Sequence, residues 1–316
     1  MAKILITGGC GFVGSNLLRQ LIERGRGERI VVLDNETMGS PRDLPEVDLE
    51  YHKGDICDLG LVSRVVAGCD TIIHLAANTR VIESIEDPTL NFEVNVRGTF
   101  NVLLAARDAG VRRVVMASTG GAILGDVEPP VHEGMVPQPA APYGASKLAG
   151  EGYGYAFAGS YGMQVTALRF SNVYGPRSYR KGSAVAHFFK QALDDKPITV
   201  YGDGSQVRDF VFVVDLCRGI LQAIDAEVSG VFQLGSGQPT SINELLVEMK
   251  RVVGAGRWPE VRYADWRAGE VRKTYCDITR ARKAFDFRPS TTLADGLETT
   301  WRWFLSQPVA PAPVAD

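Results

Sequence analysis

The sequence predicts an α/β protein: a doubly wound parallel sheet carrying a smaller mixed α/β cap that binds substrate. Three observations predict it. The first strand-like runs, Lys3–Thr7 and Ile30–Leu33, are apolar throughout rather than alternating, as strands buried on both faces require. Segments with apolar residues at helical spacing lie between such runs, so strand and helix alternate along the first half. A glycine-rich turn, Gly8 to Gly14, joins the first strand to the first helix.

In order, the run 3–7 is followed by Leu17, Leu18, Leu21 and Ile22 at helical spacing, until Gly25 stops the helix. Ile30–Leu33 ends in Asp34, and a third strand closes at Tyr51–Gly54. Residues 71–77 and 111–117 give two more buried-strand patterns, with a helix expected over 91–109 between them. The run 164–170 continues the order. Beyond it the pattern loosens: helical segments at 184–195, 215–226 and 242–253 mix with a short strand at 198–201. We expect residues 1–165 to form a dinucleotide-binding half, joined by strand and helix returning from the second half. Residues 166–306 are expected to form the substrate-binding region over the sheet's carboxyl edge, and 307–316 a flexible Pro/Ala-rich tail.

Composition narrows the function. The chain has 316 residues, 45% apolar and 22% charged, with a net charge of −3 and no basic face, which argues against nucleic acid as a partner. A chain of this size buries enough surface to hold a core without disulfides or metal. The five cysteines, Cys10, Cys57, Cys69, Cys217 and Cys276, share no CxxC and no spacing with the four histidines. They read as reduced core thiols of a cytoplasmic protein, and no metal site is expected. No apolar stretch reaches the roughly 18–20 residues of a membrane span, and the strand starting at Lys3 leaves no room for a signal peptide.

Gly8, Gly11 and Gly14 form G-x-x-G-x-x-G between the first strand and its helix. Glycines there permit a tight turn, close approach of backbone amides to a pyrophosphate, and packing of helix on strand; the helix N-terminus adds partial positive charge. Asp34 ends the second strand twenty residues after Gly14. A carboxylate at that point accepts bonds from the ribose hydroxyls of NAD and repels the 2′-phosphate of NADP, although it could also be a turn residue. Asp55, after the third strand, falls where the adenine ring should lie; helix N-cap is its structural alternative.

Tyr143 and Lys147 stand four residues apart, hence on one face of a helix. A tyrosine of pKa near 10 is a poor base at neutral pH, and a nearby ammonium is expected to lower that pKa towards the working range.

Thr7–Gly14, the run His74-Leu75-Ala76-Ala77, Pro142–Lys147 and Asn172–Arg177 together resemble the extended short-chain dehydrogenase/reductase superfamily. Within it the chain resembles the UDP-glucose 4-epimerase-like group of NAD-dependent sugar-nucleotide epimerases and dehydratases, over about residues 3 to 306. The resemblance implies a Rossmann-type fold with NAD against Gly8, Gly11, Phe12, Val13, Asp34, Asn35, Asp55, Ile56, Leu75, Ala76, Ala77, Asn95 and Phe170. Tyr143 would remove the proton from the sugar 4-OH, Lys147 would hold the nicotinamide ribose, and Ser118 or Thr119 would bond the reacting oxygen. Asn172, Tyr201, Arg208 and Arg267 would meet the nucleotide-sugar, the two arginines at its diphosphate; each arginine could equally be a solvated surface charge. Relatives often form homodimers through helices equivalent to 91–109 and 144–159.

The tip of the fifth strand separates the reactions of the group. Sugar 4,6-dehydratases resemble one another in a Thr-Asp-Glu there, and nucleotide-sugar decarboxylases in a Ser-Glu. This chain reads Ser118-Thr119-Gly120-Gly121-Ala122, with no carboxylate before Asp126. That favours 4-epimerisation of a UDP-hexose through a 4-keto intermediate, with dehydratase, decarboxylase or 4-keto reductase as alternatives. Leu124 replaces the tyrosine usual in the group, and counting back from Gly125 puts the hydroxyl slot on Gly120. Gly120, Gly121 and Thr274 are expected to open a roomy pocket beside the sugar. A non-catalytic dinucleotide-binding regulator is the rival from another class, and retention of Tyr143 and Lys147 argues against it.

Overall fold

The computed structural model describes residues 2–266 and 271–307. The chain opens with β1 (Lys3–Thr7), α1 (Phe12–Glu23), β2 (Arg29–Asp34), β3 (Glu50–Lys53), α2 (Leu59–Val66) and β4 (Thr71–His74). α3 (Val81–Glu86) and α4 (Pro88–Phe92) lead through a π-helical turn, Glu93–Arg97, into α5 (Gly98–Asp108). β5 (Arg113–Thr119), α6 (Gly121–Leu124), α7 (Pro142–Tyr161) and β6 (Gln164–Phe170) follow. Next come β7 (Asn172–Tyr174), α8 (Ala184–Leu193), β8 (Ile198–Tyr201), β9 (Val207–Phe212) and α9 (Val213–Asp225). The described chain closes with β10 (Gly230–Leu234), β11 (Pro239–Ser241), α10 (Ile242–Val253), β12 (Val261–Ala264), α11 (Thr279–Phe285) and α12 (Leu293–Ser306).

Seven parallel strands form the main sheet in the order β10-β6-β5-β4-β1-β2-β3. Neighbouring residues of β1 point to opposite faces. Ile4 and Ile6 join one buried cluster with Leu17, Leu18 and Leu21 of α1 and Ile220 of α9, whereas Leu5 joins another with Val102 of α5 and Phe157 of α7. Both faces are therefore covered, which is why the strands read as continuous apolar runs, and the doubly wound Rossmann-type sheet predicted from them is the one found.

β1 lies between β2 and β4, so the chain order reverses there. In such sheets the crevice outside the carboxyl ends at the reversal is where a ligand fits.

Three strands, β11-β9-β7, and a parallel pair, β12-β8, form the cap around a third core that includes Tyr174, Phe189, Leu245 and Phe304. Two details differ from the sequence expectation. The helix expected over 91–109 contains a π turn, which inserts one residue per turn and swings Asn95 inward. β10, one of the two edge strands of the main sheet, is a strand returning from the second half, whose position the sequence did not mark because Gln233 interrupts its apolar pattern.

Candidate active site

At the reversal, Gly8 takes a φ of 72°, and a Cβ there would stand 2.7 Å from the Ala76 amide nitrogen. A Cβ on Gly14 would meet the Gly8 carbonyl oxygen at 2.4 Å. Only glycine allows these backbones to close up, and the closure leaves the start of α1 uncapped by any side chain: Gly11 is its N-cap. Amides of an uncapped helix start, including those of Phe12 and Val13, suit a pyrophosphate.

Asp34 is 7% exposed. Its Oδ2 accepts from the Cys10 amide at 2.9 Å and its Oδ1 from the Glu36 amide at 2.7 Å, so the carboxylate is fixed beside the glycine turn. Burial raises its pKa, and these two bonds work against the rise. Asn35 donates to Asp55 at 2.8 Å, joining the ends of β2 and β3. The N-cap of α2 is Asp58, not Asp55, which leaves Asp55 at the cleft.

Leu75 and Ala76 hang from β1 through the Thr7 carbonyl and hydroxyl. Ile56 contributes less directly than expected. Its side chain is buried against Gly98 and its carbonyl accepts from Asn101, so it supports the floor of the cleft. Asn95 spends its amide on Asn78 and Ser146, holding the 75–78 loop from behind. A dinucleotide fits this cradle on three counts: the glycine closure, the uncapped helix start and the carboxylate at the end of β2.

α7, packed against β5 and β6, carries Tyr143 and Lys147 on one face. Proline at its first turn needs no donor partner, and the Tyr143 amide donates to Ser84 at 3.1 Å. The Lys147 ammonium donates to the Ala117 carbonyl at 3.1 Å. Burial pushes the Tyr143 phenol up to about 12 and pulls Lys147 down to about 8. The expected lowering of the Tyr143 pKa is therefore not met in this structure. The ammonium is turned to Ala117, and desolvation dominates the phenol.

The two hydroxyls at the tip of β5 part company. Ser118 is buried and donates to Glu151 at 2.6 Å, and Arg169 clamps the same carboxylate at 2.9 and 2.7 Å. Ser118 is thereby committed to a buried carboxylate; one residue on, the side chain points to the opposite face of the strand. Thr119, paired in register with Phe170, is half-buried. The roomy pocket expected from Gly120 and Gly121 is also corrected. A Cβ on Gly120 would lie 2.6 Å from Gln233 Oε1, and one on Gly121 3.1 Å from Thr274 Oγ1. The glycines make room for an amide and a hydroxyl of the protein itself.

In the cap, Asn172 opens β7 directly after Phe170 and Ser171, and Arg208 lies on β9, whose neighbour Phe210 pairs with Asn172. Tyr201 ends β8. Arg267 lies outside the described residues. Asp209 was not singled out from sequence: 1% exposed, it accepts from Ser171, Ser236, Gly237 and Cys276, pinning β9 to the ends of β6 and β10. Its signal was its place next to Arg208.

A sequence model of the NAD dependent epimerase/dehydratase family matches residues 4–235. The chain belongs to that family. UDP-glucose 4-epimerase of Mycolicibacterium smegmatis is 36% identical, over 96% of this chain and 98% of that protein. The structure of UDP-glucose 4-epimerase from Thermotoga maritima with UDP-glucose is 34% identical, with a TM-score of 0.90 over 96% of this chain and 98% of that one. dTDP-glucose 4,6-dehydratase of Streptomyces griseus is 35% identical over 98% of this chain and 97% of that protein. Among the described residues no group of three or more potential ligands could hold a metal, and no helix is long and apolar enough to cross a membrane.

Proposed function

We infer that the chain is an NAD-dependent nucleotide-sugar 4-epimerase acting on UDP-hexoses of the glucose/galactose type. One observation carries the reading against dehydration: the tip of β5, Ser118 to Ala122, bears no carboxylate, and among the described residues the acids bonded around it are already engaged. Glu151 is bound by Arg169 and Ser118, and Glu133 accepts from the Gln233 amide at 2.7 Å. Elimination of water needs an acid and a base beyond the tyrosine; epimerisation does not.

When bound, NAD takes up and gives back hydride at the sugar's C4. Tyr143 receives the proton of the 4-OH and returns it after the 4-keto sugar has turned over in the cleft. Thr119 donates to that oxygen and holds it near Tyr143. Lys147, once swung from the Ala117 carbonyl towards the cleft, stabilises the phenolate and holds the nicotinamide ribose. Gly8, Gly11, Phe12, Val13, Asp34, Asn35 and Asp55 bind the dinucleotide, and Asn172, Tyr201, Arg208 and Arg267 the nucleotide-sugar. Residues 1–165, with the strand and helix that return to them, serve the cofactor, and 166–306 the substrate.

The test incubates purified protein with UDP-glucose, UDP-glucuronate and UDP-N-acetylglucosamine separately, without added NAD. The expected product is the 4-epimer of at least one of them. A stable 4-keto-6-deoxy product would establish the dehydratase reading instead, which the Streptomyces griseus relative favours; release of CO₂ would establish a decarboxylase.

We also infer a homodimer joined through α4, α5 and α7, whose Leu90, Phe92, Tyr153 and Tyr155 are exposed. Light scattering that gives a monomer overturns it. Five free cysteines suit a reducing cytoplasm.

A further inference from the structure

Glu151 has no part in the chemistry above, yet it is built into the site. Tyr143, Lys147 and Glu151 succeed one another at four-residue spacing along α7 and so share one helix face. Glu151 is 7% exposed and Arg169 3%. A buried carboxylate is tolerated only when paired and hydrogen-bonded, and this one takes two bonds from the guanidinium and a third from Ser118. Arg169 and Ser118 are register partners on β6 and β5, so the sheet itself fixes the clamp. The carboxylate is thereby held one helical turn beyond the Lys147 ammonium.

We propose that Glu151, clamped by Arg169 and Ser118, is a positioning residue that keeps Lys147 charged inside the protein. The proposal rests on the reading of Lys147 as half of the catalytic pair. Few other charged groups face that ammonium: Tyr143 and Glu151 from its own helix, His74 from β4, and Arg169 from β6 behind Glu151; β5 offers the Ala117 carbonyl. Tyr143 is neutral, because burial raises its phenol, and His74 is neutral, because burial and Lys147 itself push it down. Burial works to strip the proton from Lys147, and the Glu151 charge is what opposes it. Removing that charge lets Lys147 deprotonate at lower pH, and a neutral amine no longer stabilises the Tyr143 phenolate.

The test is the pH profile of the Glu151→Gln variant. We expect the alkaline limb of kcat to move towards acid by about one pH unit, and kcat at pH 8 to fall about fivefold, with KM within about twofold. Glu151→Asp keeps the charge and should restore the limb. Since Glu151→Gln leaves Arg169 unpaired in the interior and can fail to fold, the pair Glu151→Met with Arg169→Met removes both charges at similar volume and should shift the limb in the same direction by less, because a cation behind Glu151 is lost with it. Carbon NMR of the lysine Cε atoms, assigned by its loss in Lys147→Met, reads the Lys147 titration without any turnover. An unchanged Lys147 titration in a folded variant lacking Glu151 overturns the proposal, however far its activity falls. A wild type that turns over no UDP-sugar overturns the functional reading instead, and leaves the titration result standing on its own.

Discussion

Ser118 Oγ donates to Glu151 Oε1 at 2.6 Å, so of two adjacent hydroxyls at the tip of β5 Ser118 is committed to a buried carboxylate, and Thr119 is the one we propose for the sugar. Thr119→Ala should lower kcat about a hundredfold with little change in KM, as expected when one donor to the reacting oxygen is lost. Ser118→Ala removes one buried bond and should cost about 1–3 kcal/mol of stability. Steady-state kinetics and denaturant melts of both variants check this. Equal kcat losses in the two would return Ser118 to the chemistry.

Asp34 already accepts from the Cys10 and Glu36 amides. Asp34→Ala should weaken NAD binding by about 10–100-fold and release cofactor during purification. The absorbance ratio of the isolated protein and calorimetry with added NAD measure it. Stoichiometric NAD in the purified variant would contradict the assignment.

Gly120 and Gln233 are packed as a pair. Gly120→Ala places a methyl 2.6 Å from Gln233 Oε1 and should destabilise by about 1–3 kcal/mol. In a Gln233→Ala background the same change should cost less than about 0.5 kcal/mol, because the obstructing amide is gone. Additive effects across the double-mutant cycle would mean that Gly120 is constrained by something else.

His74 is buried between the Thr7 and Thr99 hydroxyls, at 2.7 and 3.0 Å. Burial, with Lys147 adding to it, pushes its pKa down from 6.5 to about 3. Below pH 6.5 the unfolded chain gains a proton that the folded chain refuses, so stability falls as pH drops from 6.5 towards 3. Between pH 6.5 and 4.5 this one group should cost about 2–3 kcal/mol. His74→Gln should flatten the pH dependence of thermal unfolding over that window. A slope identical to wild type would show that His74 does not carry it.

The cofactor half was legible because its determinants are local. Gly8, Gly11 and Gly14 act through their own backbone, Asp34 ends its own strand, and Tyr143 and Lys147 share a helix face by spacing alone. Buried parallel strands announce themselves by composition, except β10, where Gln233 broke the signal.

What spacing could not show was direction and partnership. Arg169 and Gln233 read as ordinary polar residues in sequence, and only the register of β5, β6 and β10 puts Ser118, Arg169 and Gln233 side by side. The spare room read from Gly120 and Gly121 vanished for the same reason, since their neighbours come from residues more than a hundred positions away. The sequence by itself determined the buried parallel strands other than β10, the glycine turn after β1 and the shared helix face of Tyr143 and Lys147, each set within its own strand, turn or helix. Tertiary structure alone decided that Ser118 is taken by Glu151, and that this buried carboxylate stands a turn beyond Lys147, because both depend on which strands lie next to one another.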